Sequence, residues 1–227
     1  MIDPGVRNPA RPSPKRGRPL PSGVFHAPEI AVAIAGLPPE SGAGTPEAAR
    51  WVRDRRIRGV ALDAARPDCR ARDLGRSARR DLAAMLRRTE LELTGIDLFI
   101  PPAHYADPAR AERAIETVQQ TATMVAELAR LVGGRSRPLV SVTLPAELPA
   151  SVRAALAVHA ERFGSTIADH TPRAEAAPPG LTLGVDPAAC FMAGDDPAAA
   201  ATRAGVSALR LTNLDATGRC AANADGG

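Results

Sequence analysis

Aromatic side chains are scarce in this chain, 3% of 227 residues, with one Trp, one Tyr and four Phe. The core must therefore be built from Ala, Leu, Val and Ile, within a hydrophobic content of 44%, and the length suits one domain. No apolar run approaches the ~20 residues needed to cross a bilayer. The N-terminus lacks the apolar segment of a secretory signal. The three cysteines, Cys69, Cys190 and Cys220, form an odd set without Cys-x-x-Cys spacing, for which a reduced, cytoplasmic protein is the simplest account. P-loop and Gly-x-Ser-x-Gly signatures are missing as well.

Charge of one sign is also missing from most of the chain. Residues 1–28 hold four Arg and Lys15 against Asp3, 5 − 1 = +4, so the remaining 199 residues carry 24 basic and 24 acidic groups. The formal net of +4 belongs to the tail and gives no support for a nucleic-acid face on the body. The tail contains seven prolines and is expected to be disordered, leaving residues 29–227 as the folded domain. Within it, Pro14-Lys-Arg-Gly-Arg-Pro19 resembles the core of an AT-hook, in which two guanidinium groups enter a narrow minor groove. The match occurs once, and isolated basic tails are usually only solvated, so DNA association is a remote alternative.

What the body does have is a set of apolar runs that end on an acid: Gly59-Val-Ala-Leu-Asp63, Ser165-Thr-Ile-Ala-Asp169 and Leu183-Gly-Val-Asp186. Leu211–Asp215 repeats the idea less cleanly, and Asp97 lies inside a longer run. In parallel α/β folds the C-terminal strand ends share one face, where chemistry is kept. Acids converging there predict a polar pocket able to hold a hydroxylated substrate or a metal. The plainer alternative is that each acid caps the turn it opens, which suits Asp186 before Pro187 especially.

The strand–helix rhythm supports that geometry. Strands are expected over about 30–37, 59–62, 91–100, 138–144, 166–169, 181–185 and 208–214. Helices are expected from Thr45 (as N-cap, with Pro46 at N1), over 77–90, after Asp107-Pro108 to Gly133, over 149–163, and after Asp196-Pro197 to Gly205. The connection 170–180 reads as loop and is the weakest unit, since a parallel crossover usually needs a dozen or more residues; 216–227 also reads as loop. The pattern predicts an α/β (β/α)8 TIM-barrel-like fold with seven strands visible, incomplete at the C-terminus or truncated, whose exposed edge a partner copy would cover. A doubly wound parallel sheet is the alternative, although Gly42-Ala-Gly44 is a poor Gly-rich turn.

Four segments carry a resemblance: Arg58-Gly-Val-Ala-Leu-Asp63, Leu98-Phe-Ile-Pro-Pro-Ala-His104-Tyr, Asp107-Pro-Ala-Arg-Ala-Glu-Arg-Ala-Ile115, and Gly184-Val-Asp-Pro-Ala-Ala-Cys-Phe-Met-Ala-Gly-Asp-Asp-Pro197. Together they resemble the sugar phosphate isomerase/epimerase family with a xylose-isomerase-like barrel. The resemblance implies a divalent metal, such as Mn or Mg, and hydrogen transfer between adjacent carbons of a sugar or sugar phosphate. The chain departs from the family where metal is bound. Asp169 stands in place of a Glu, Ala189 in place of a His, and Arg210-Leu-Thr212-Asn213 in place of His-x-Lys-Asp. The family's final Glu falls beyond residue 227.

Two carboxylates with His170 would bind a hard divalent ion weakly. A metal-free version would use Asp169 or Asp186 as base, His170 as proton shuttle, and Arg210 to hold an oxyanion or phosphate. Asp63 and His104, with Arg210, are the expected substrate-binding residues. His104 also reads as an ordinary loop residue, His159 as a packed helix-face residue, and Cys190 as a small buried hydrophobe. The competing function is a sugar- or protein-binding relative that kept the barrel and lost the chemistry.

Overall fold

A computed structural model describes residues 31–37, 41–42, 44–134, 136–172, 177 and 180–210, together with the backbone of 213–215 and 218–220. The tail, with its AT-hook-like segment, lies outside the described residues.

Seven strands run in one parallel sheet in the order β1 to β7: Ala31–Ala33, Gly59–Asp63, Glu92–Asp97, Leu139–Val142, Thr166–Asp169, Leu181–Val185 and Val206–Leu209. Every neighbour in space is the next strand in sequence, so no point exists where the order reverses. That excludes the doubly wound alternative, which requires such a switch. The helices are α1 (Thr45–Asp54), α2 (Arg76–Arg88), α3 (Pro102–Ala106), α4 (Pro108–Val132), α5 (Ala150–Phe163), α6 (Pro187–Ala193) and α7 (Pro197–Ala201).

Local chemistry explains most of these elements. The 25-residue α4 starts where Asp107 Oδ1 accepts from the Ala109 amide at 2.9 Å, and it stops at Gly133, whose φ of +84° is left-handed. Between them, Ala114, Val118, Thr121, Ala122, Val125 and Leu128 recur at helical spacing and are buried against α2, α5 and β3. The core they join is aliphatic, its largest buried side chains including Ile34, Leu62, Leu86, Leu93, Ile96 and Ile167. Gly95 on β3 allows a close approach, since a Cβ there would lie 2.3 Å from the Leu139 carbonyl oxygen on β4.

Several expectations need correction. Thr45 is not the N-cap of α1: Gly44 occupies that position, and Thr45 Oγ1 instead contacts Cys69 Sγ at 3.1 Å. The first strand stops at Ala33 because Ile34–Gly36 forms a 3-10 turn that buries Ile34. The seventh strand covers Val206–Leu209 rather than beginning at Ala208, and the helix before it ends at Ala201 rather than near Gly205. The last segment is not all loop: β8 (Asn213–Asp215) pairs antiparallel with β9 (Gly218–Cys220). The connection 170–180 joins two parallel neighbours, although none of its described residues is helical.

Candidate functional site

Asp63, Asp97 and Asp169 are the last residues of β2, β3 and β5, and Asp186 follows β6 directly. Arg210 follows β7. Parallel strands place all five at one end of the sheet. The decisive contact is made by Arg210. Its Nη1 lies 2.5 Å from Asp97 Oδ1, while its Nη2 and Nε both lie 3.2 Å from Asp186 Oδ2. In a flat sheet β3 and β7 would be four spacings apart, roughly 19 Å, beyond the reach of any side chain. The sheet is therefore curled, and Arg210 spans its mouth.

The second ionic cluster is deeper. Arg153 of α5 donates to Asp169 Oδ2 at 2.6 Å and also to the Pro145 carbonyl. Asp169 Oδ1 accepts from the Leu144 amide at 3.1 Å, the Thr171 amide at 3.0 Å and the Thr171 hydroxyl at 2.6 Å. Asp169 is 2% exposed, so this carboxylate is saturated with donors and shielded from water. His170, also 2% exposed, lies over Gly184 on β6: a Cβ built there would come within 2.3 Å of the imidazole Cε1. The space beside His170 and Asp186 is only about 10 Å³, room for a single water.

The remaining expected residues sit differently. Asp186 is 1% exposed and caps α6, accepting from the Ala189 amide at 3.1 Å. Asp63 accepts from the Ala65 amide at 2.8 Å, and Arg66 Nε stands 3.8 Å away. Burial pushes the Asp63 carboxyl above its ordinary range, partly offset by that amide and by Arg66. The capping alternative thus holds at both positions, and at Asp186 it coexists with the ion pair to Arg210. His104 lines a cleft formed by the loops after β2 and β3 and the first half of α4, whose described lining includes none of these acids but does include Ala64 and Leu98 beside Asp63 and Asp97. His159 is half-buried, its Nε2 2.9 Å from Thr123 Oγ1, with its ring against Phe163. Cys190 is buried.

Three participants escaped the sequence reading of the site. Asp97 was visible as a strand acid but hidden inside a longer run. Arg153 had no local signal, because its role depends on how α5 docks against β5. Tyr105 on α3 has a buried hydroxyl with no hydrogen-bond partner among the described residues. Burial, and secondarily the charge of Asp169, push its phenol upward.

A family-type divalent metal does not fit these residues. No group of three or more His, Cys, Asp or Glu is placed to hold one among the described residues. The cation already shared by Asp97 and Asp186 is a guanidinium.

No protein-family model matches the sequence, and no curated protein does either. Solved structures do match. A D-psicose 3-epimerase determined in the presence of D-fructose aligns with a TM-score of 0.60 at 9% identity, over 83% of this chain and 76% of that one. The fold is a partial (β/α)8 TIM barrel. A sugar phosphate isomerase/epimerase from Parabacteroides distasonis aligns at 0.52 and 10% identity, over 79% of this chain and 72% of that one. A xylose isomerase-like TIM barrel/4-hydroxyphenylpyruvate dioxygenase fusion protein aligns at 0.57 and 14% identity over 82% of this chain, which spans only 31% of the fusion's length. At such identities the likeness is one of fold. Among the described residues no helix is long and apolar enough to cross a membrane.

Proposed function

We propose that this chain is an isomerase/epimerase-like barrel that binds a sugar or sugar phosphate at its strand ends, with the proton transfer between adjacent carbons weakened or lost. One observation carries the reading: Arg210 neutralises Asp97 and Asp186 together. A general base must turn a lone pair toward a carbon-bound proton. Asp169 and Asp186 are instead buried and committed to arginines and backbone amides.

Binding is a different demand. Asp63, Asp97 and Arg210 keep side-chain exposures of 18%, 12% and 15%. Carboxylates accept from sugar hydroxyls, and a guanidinium has five N–H donors, of which these contacts use three. Calorimetric titration with ketoses and ketose phosphates tests this. Binding that weakens about tenfold in Asp97→Asn supports it, in line with the loss of a charged hydrogen bond; no binding of any member contradicts it.

A second reading, an active isomerase or epimerase, is favoured by Asp63. Its upward shift is the direction needed by a base working near neutrality. Under that reading solvent deuterium enters the sugar beside its carbonyl, and Asp63→Asn abolishes the exchange.

A further inference from the structure

The loops after β2 and β3 and the first half of α4 enclose a cleft of 660 Å³, within the range of small-molecule sites. Four arginines line it: Arg70 and Arg72 from the loop after β2, and Arg110 and Arg113 one turn apart on α4. No Asp or Glu is part of its described lining. Asp73 and Asp107, outside the lining, hold three of the arginines: Arg70 and Arg72 at 3.2 and 3.5 Å, and Arg110 at 3.2 Å. Three of the four lining arginines thus share two carboxylates. Arg113 makes no ion pair among the described residues.

The rest of the wall mixes His104, Thr117, Gln120 and Thr121 with an apolar stretch. Leu98, Phe99 and Ile100 follow β3, and Phe99 is 73% exposed, the highest value among the exposed large hydrophobic residues. This is one of six aromatic residues in the chain, placed in water beside a cluster of guanidinium groups. Arginine forks match the oxygens of a phosphate in pairs, and an exposed ring offers a stacking face.

We propose that this cleft binds an organic phosphate that carries an aromatic ring, the shared chemistry of nucleoside and aryl phosphates. Arg110 and Arg113 hold the phosphate with Arg70 and Arg72 opposite, and Phe99 stacks on the ring. The site shares none of Asp97, Asp169, Asp186 or Arg210 and does not rest on the sugar reading.

The test is calorimetric titration of the full chain with ADP, phenyl phosphate, inorganic phosphate and adenosine. ADP, phenyl phosphate or both are expected to bind, at least tenfold more tightly than inorganic phosphate or adenosine, and which of them binds tells the two sources apart. Arg113→Ala and Phe99→Ala each weaken that binding about tenfold, Arg113→Lys falls between, and added salt weakens it throughout. Both side chains are exposed, so unchanged melting temperatures show that the variants fold. No binding of either organic phosphate at millimolar concentration overturns the proposal. So does affinity indifferent to both substitutions, or inorganic phosphate binding as tightly as the organic probes. Ketose binding without ADP or phenyl phosphate binding sinks this inference alone, and the reverse sinks only the sugar reading.

Discussion

Asp169 shows how one side chain can be both legible and misread. Its place at the end of an apolar run marks it as a strand-end acid, but nothing nearby in sequence announces Arg153, which comes from the preceding helix. Removing that arginine leaves a carboxylate that is 2% exposed without its counter-ion. Arg153→Ala is expected to cost about 3–5 kcal/mol in urea unfolding; a loss below about 1 kcal/mol would show that the pair is not holding the buried charge. Asp63 gives the opposite expectation. Its carboxyl is raised by burial, so the folded chain holds that proton more tightly than the unfolded chain does. The resulting stability is present below the unfolded pKa, near 3.8, and is lost as pH rises through the higher folded value. Asp63→Asn should therefore gain melting temperature relative to the parent as pH rises through that window. A difference that stays flat with pH would contradict the burial argument.

At the level of elements, period and caps were enough where the chain carries a strong local signal. The buried stripe of α4, its Asp107 cap and its Gly133 stop are all set by neighbours in sequence. Helices α3 and α6, of 5 and 7 residues, were not expected, because so short a segment carries less than two turns of pattern. The Thr45 cap failed for a tertiary reason: its hydroxyl is drawn to Cys69. Close packing between strands was equally silent in the sequence, and glycine tests it. Gly95→Ala would drive a Cβ into the Leu139 carbonyl, which is backbone and cannot swing away. The expected loss is about 1–3 kcal/mol, against little change for Gly36→Ala, where nothing lies within 4 Å. Equal unfolding midpoints for the two variants would mean that β3 and β4 have room to separate.

For the whole molecule, alternation of strands and helices pointed to a parallel sheet, but its curl depends on contacts between residues far apart in sequence. Arg210 meets Asp97 across 113 positions. Arg210→Ala should unfasten the last strand locally, so hydrogen exchange at β7 amides accelerates while β2 and β3 stay protected. Uniform acceleration in all three strands would mean that the tie supports the entire barrel. The same tie carries the functional account, in which the strand ends recognise a ligand and their acids no longer move protons. Proton NMR of ketose phosphates in D2O, with stoichiometric protein, reads both halves at once. The account predicts that ligand lines broaden while the signal of the hydrogen beside the carbonyl keeps its intensity. Disappearance of that signal through deuterium uptake, or lines that stay sharp, would contradict it.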